Sequence, residues 1–145
     1  MTQAEPETRI LEPGTPLVKA IPPRLVEPYL SGQRSVIAGY VYRAAECTFS
    51  DPAGFFHALR LGYPGSDFSA EMPELFLMCW PALDMSASLV PLPPANSYGP
   101  APTAEEFFTL PIPIPVGAEI QRVTHGGRDL VARFDGQAWL RRSPR

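Results

Sequence analysis

The chain has 145 residues, of which 19 are proline, 12 are basic, 15 are acidic and two are cysteine. That length suits one ordinary domain and is too short for two. The 45% apolar fraction and −3 charge exclude disorder by composition and nucleic-acid binding by net field alone. Proline, at roughly 13% against about 5% on average, excludes long helices and wide regular sheets wherever it clusters.

The charge is unevenly spread. Residues 1–119 carry six basic and thirteen acidic groups, whereas residues 120–145 carry six arginines and two aspartates. Eleven arginines stand against a single lysine, Lys19. No apolar run reaches the roughly 18 residues of a membrane helix, so no membrane contact is expected. The acidic start lacks the basic-then-apolar layout of a signal peptide, so the expected location is the cytoplasm, or outside by a route needing no such peptide. Cys47 and Cys79 form no CxxC and are expected as free thiols, and His57 and His125 give no zinc spacing.

Residues 1–16 read as a loose arm and residues 17–145 as one domain. Leu17–Ile21 reads as a short strand. Pro22-Pro23 opens a short helix that Gly32 closes, and Pro28 limits it to about two turns. Residues 35–44 combine β-branched and aromatic residues without proline and form the best strand. The best helix covers 51–61, with Ser50 or Asp51 as its cap, Pro52 near its start and Gly62 and Pro64 beyond its end. His57 on it reads as structural. Residues 74–80 are apolar on both faces from Leu75 onward, which predicts a central strand.

A proline-rich loop follows at 85–102. Asp84 is the only charge between Leu75 and Ala104. The PxxP at Pro91–Pro94 lacks the basic flanks of an SH3-type ligand. The C-terminal part predicts a β-meander of strands 119–124, 129–134 and 137–141, with turns at His125–Arg128 and Asp135-Gly136. The expected fold is α+β: a bent, mostly antiparallel sheet of about six strands with one clear helix. The expected core is Val36, Ile37, Val41, Phe55, Leu59, Leu75, Leu77, Trp80, Ile120, Val123, Leu130, Phe134 and Trp139.

Two readings of function follow. An uncharged, proline-rich loop on a small domain presents a pre-extended surface to a protein partner, which predicts a binding or accessory role without a cofactor. The second rests on residue order: Arg43 ends an early strand, Ser86-Ala87-Ser88 follows, and Thr103-Ala104-Glu105-Glu106 comes before Pro115–Val123. That order resembles the arginine–serine–glutamate pattern of the ADP-ribosyltransferase superfamily. The resemblance implies NAD as substrate, with Arg43 on its phosphates, Ser86 and Ser88 lining the nicotinamide pocket, and Glu105 or Glu106 stabilising the ribosyl cation. A guanidinium matches a pyrophosphate bidentately, and a carboxylate stabilises oxocarbenium charge. Plain structural roles account for the same residues: Thr103 and Glu106 as a capping box, Arg43 paired with Glu46, and Ser86 and Ser88 in a turn.

Overall fold

The structure is a computed structural model that describes residues 12–49, 51–59, 61–62, 65–82, 89–91 and 107–142. It is α+β and mostly sheet, as the sequence predicts. Eight strands run in chain order: β1 (Pro16–Ile21), β2 (Val36–Arg43), β3 (Glu74–Pro81), β4 (Leu89–Pro91), β5 (Phe107–Pro113), β6 (Glu119–Thr124), β7 (Gly127–Phe134) and β8 (Trp139–Arg141). They pair in one antiparallel sheet, in the order β4-β5-β2-β1-β3-β6-β7-β8. Helix α1 (Pro23–Leu30) follows β1, and helix α2 (Pro52–Ala58) lies between β2 and β3.

All six predicted strands are present, and β4 and β5 add to them. Proline density hides β5 in the sequence, and its pairing explains how the prolines fit. Thr109 lies opposite Gly39 and Ile112 opposite Ile37, so two residues of β5 face one of β2. Pro111 falls in this bulge, where a ladder bond is interrupted anyway. Strand β4 pairs only with Phe107–Thr109. The strand also starts one residue earlier than expected: Pro16, predicted in the arm, is the first residue of β1.

The sheet has two apolar faces. On the inner face Leu17, Ile21, Ile37, Val41, Met78, Trp80, Phe107, Ile112, Ile120, Ala132 and Trp139 form one buried cluster. Strands far apart in the sheet order share this cluster, so the sheet curls toward that side. Tyr29 brings α1 against the same face. Outer-face residues Val18, Ala20, Leu75, Leu77 and Val123 pack with Phe55 and Leu59 from α2 and its end. Asp51 caps α2 by accepting a hydrogen bond from Gly54 N at 2.8 Å. Tyr42 donates to Leu59 O at 2.9 Å and ties the helix end to β2.

The predicted core holds except at Leu130, which is half-buried and in neither apolar cluster, and at Val36. Val36 is 38% exposed, while its neighbour Ile37 is buried. Alternation puts the two on opposite faces, and nothing among the described residues buries the outer one.

Lys19 is the unexpected member of the inner face. It alternates with Leu17 and Ile21 and pairs with Met78. Its ammonium approaches Gly39 so closely that a Cβ there would lie 3.1 Å from Nζ, and Gly39 also has φ +103. Burial, reinforced by the nearby Arg34 cation, lowers the Lys19 pKa to about 8. A lowered lysine pKa means the unfolded chain holds the proton more tightly. The resulting cost to the fold is full below pH 8 and is relieved as pH rises toward 10.5. Lys19→Met is therefore expected to raise the melting temperature at pH 7 and to gain little at pH 10.5, measured by thermal denaturation at both pH values.

Candidate functional site at the margins of the curled sheet

Arg43 is the predicted site residue that the structure describes. It closes β2 opposite Leu17, which sets it on the inner face. Its guanidinium lies 4.8 Å from the Phe107 ring centroid, and Nη1 lies 3.4 Å from Glu46 Oε2. The expected ion pair with Glu46 is thus present, at half-buried side chains. Phe107 pairs with Val41 and directly follows Glu105-Glu106 in the chain. Ser86, Ser88, Glu105 and Glu106 lie outside the described residues, as does most of the 85–102 segment.

Around this corner the outer face of β2 and β5 is apolar and open. Tyr40 and Phe108 are cross-strand partners whose rings meet edge to face at 5.6 Å. Tyr40 is 45% exposed and Leu110 60%, and Val36 stands further along the same face. Helix α2 covers the β1, β3 and β6 part of this face and does not reach the strip. An aromatic pair and an aliphatic side chain held by regular strands form a rigid surface that contacts a partner at low entropic cost. The sequence reading missed the strip because it missed β5: without a second strand, Tyr40 has no neighbour.

Two concave regions lie at the opposite margin. A groove of about 600 Å³ is lined by Glu27, Glu74, Arg122, Asp129 and Arg141 among others. Its charges neutralise one another: Arg141 pairs with Glu27 at 3.0 Å, and Arg122 lies 3.9 Å from both Glu74 and Asp129. A smaller cleft of about 320 Å³ is lined by Tyr29, Arg34, Ile114, Phe134, Gln137 and Trp139, with the turns beside them. Arg34 is its single charged group. Sequence reading singled out none of these residues for binding, because they come from α1, the turn after it, β5 and the β7–β8 turn.

The remaining chemistry-bearing groups are quiet. Among the described residues no cluster of His, Cys, Asp or Glu is fit to hold a metal. His57 stacks edge to face on Phe56 at 5.3 Å near the end of α2, in keeping with a structural role. The buried Trp80 Nε1–H has no acceptor among the described residues. No helix among the described residues is long and apolar enough to cross a membrane.

The fold and its margins define an α+β domain with a curled antiparallel sheet, an open apolar strip at one end and a cationic aromatic cleft at the other. Comparison with protein-family models, curated proteins and solved structures finds no match.

Cys47 and Cys79 are both free, as expected. Burial pushes the Cys47 thiol up to about 12, with the Glu46 carboxylate adding to it, and pushes Cys79 up to about 11. Arg128 opposes both shifts and donates a 3.2 Å bond to Cys47 O. At pH 8 both sulfurs are therefore protonated thiols, which are poor nucleophiles. An aromatic disulfide reagent at pH 8 is expected to label neither cysteine rapidly in the native protein and both promptly in denaturant. Fast native labelling would contradict the burial.

Proposed function

We propose that the protein is a binding or accessory domain whose β4–β5–β2 end docks a protein partner. The observation that carries this reading is the strip on the outer face in which exposed Tyr40 and Leu110 flank half-buried Phe108. Large apolar groups cluster there beside the strand that runs through the proline-rich segment, with Val90 opposite Phe108. Monomeric proteins rarely hold aromatic and aliphatic side chains together in the open, and such patches mark contact surfaces. The prolines of the 85–102 sequence fix φ and so lower the entropy such a segment has to lose on binding.

Capture from an extract of the protein's own source, followed by reconstitution with the captured partner once purified, tests the reading. Leu110→Asp and Tyr40→Ser each replace an exposed side chain and are expected to lower the melting temperature by only a few degrees, since exposed substitutions usually cost under about 0.5 kcal/mol and loss of the Tyr40–Phe108 ring pair adds about 1 kcal/mol. Each is expected to weaken the reconstituted complex at least tenfold, and Leu92→Asp to weaken it as well. Undiminished binding by all three variants would place the contact elsewhere.

A second reading has its own support. Arg43 is set on the inner face and stacks on the ring of the residue next to Glu105-Glu106 in the chain. A guanidinium held by a ring and a carboxylate has few rotamers to lose on meeting a pyrophosphate. In this reading the domain consumes NAD, with Ser86 and Ser88 toward the nicotinamide and Glu105 or Glu106 toward the ribose. Incubation with NAD would then release nicotinamide. Arg43→Lys is expected to raise KM, and the catalytic glutamate is the one whose change to Gln lowers kcat by a hundredfold or more. Absence of nicotinamide release at millimolar NAD would dismiss this reading and leave the first untouched.

A further inference from the structure

The cleft bounded by Tyr29, Arg34, Phe134 and Trp139 shares no lining residue with Arg43 or with the strip of Tyr40, Phe108 and Leu110, and its argument is independent of both. Its shape comes from the curl. The end of β5 contributes Pro113, with Ile114 just beyond it, β7 contributes Phe134, and β8 contributes Trp139, although these strands are far apart in the sheet order. Its walls are aromatic: Phe134 and Trp139 lean together with centroids 5.3 Å apart, and Tyr29 stands on α1. A volume of about 320 Å³ is at the small end of ligand sites, enough for one ring with a short substituent.

One charge enters this apolar space. Arg34 Nε donates to Tyr29 Oη at 3.1 Å, and Tyr29 Oη donates to Val36 O at 3.0 Å. The relay through a buried tyrosine fixes the guanidinium 5.5 Å from the Tyr29 ring centroid. It uses only Nε. Among the described residues no carboxylate reaches Nη1 or Nη2, whereas Arg24, Arg43, Arg122, Arg133 and Arg141 each meet one. Asp135, the nearest acid along the chain, is not in the cleft lining. It accepts bonds of 2.8 Å from Gln137 N and Ala138 N. Lys19 adds a second positive charge close enough to Arg34 for the two to repel.

We propose that this cleft is a binding site for a small aromatic monocarboxylate, its ring between Tyr29, Phe134 and Trp139 and its carboxylate on the Nη1 and Nη2 atoms of Arg34. The carboxylate supplies the acceptor that the cleft lacks and relieves the repulsion between Arg34 and Lys19. The ring replaces water on the open side of Phe134, the least buried of the aromatic walls. The adjoining 600 Å³ groove makes a useful contrast, because its Arg122 and Arg141 already meet carboxylates.

Benzoate is the probe, and benzyl alcohol is its uncharged control of similar size. Titration of the full-length, isotopically labelled protein is expected to shift amide signals of residues 29–35 and 136–139 with benzoate, and much less with benzyl alcohol. Arg34→Gln is expected to weaken benzoate at least about tenfold, the loss of one charge-assisted pair. Gln137 is exposed at the rim, so Gln137→Glu leaves the fold intact and sets a negative charge at the mouth. It is expected to weaken benzoate also, and it decides the matter if Arg34→Gln fails to fold. No shift at millimolar benzoate, equal shifts with the alcohol, or unchanged affinity in the folded variants would overturn the proposal.

Discussion

Closure of the inner face is the constraint on which the rest depends. Phe107 and Ile112 of β5 must meet Ala132 and Trp139 of β7 and β8 across the sheet, and they do so only if the sheet curls. The driving force is ordinary burial, worth about 25 cal/mol for each Å² of apolar surface removed from water. The consequences are directional. The curl brings the far ends of the sheet together beside α1 and leaves a cleft there, and it turns the β2–β5 outer face away from α2. Both margins therefore follow from one packing event.

The prolines fit this constraint. A strand with proline cannot be a regular central member of a ladder. β5 copes by carrying Pro111 in a bulge and by pairing with β4 over only three positions. The bulge also shifts register, so that Ile112 regains the inner face opposite Ile37 after Phe107 and Thr109 have occupied it. Without that one-residue correction the apolar side chain would point outward. Proline excess thus marks the place where the sheet bends, and it borders the segment on which both functional readings rest.

Local chemistry made much of the fold legible. Asp51 with Pro52 announced α2, Pro23 with a left-handed Gly32 bounded α1, and the unbroken apolar run from Leu75 announced a strand covered on both faces. What stayed hidden was non-local. Phe107–Pro113 has too many prolines to read as a strand and becomes one only because β2 is there to pair with it. Val36 looks like core until the outer face beyond α2 proves uncovered. Lys19 stands in the predicted strand Leu17–Ile21, and the alternation that buries Leu17 and Ile21 carries it inward too. For the site, Arg43 and its partner Glu46 were readable because they are three residues apart; the Arg34 cleft was not, because its walls come from three separate segments.

The arginines carry the last step of the argument. In a chain with eleven of them, no single one signals function by its presence. Their partners separate them. Arg24, Arg122, Arg133 and Arg141 form exposed pairs of the kind that contribute little and specify nothing. Arg128 is occupied by Gln121 and by the Cys47 carbonyl, and it leans over Phe55 at 5.6 Å. Arg43 is held by Glu46 and Phe107 at the end of the inner face. Arg34 differs from all of these: its one hydrogen-bonding side-chain partner is neutral, its surroundings are aromatic, and a second cation stands behind it. A half-buried guanidinium fixed by a tyrosine in such surroundings, with Nη1 and Nη2 met by no carboxylate among the described residues, is placed to receive something negative. That imbalance, and not the number of arginines, is what distinguishes the cleft.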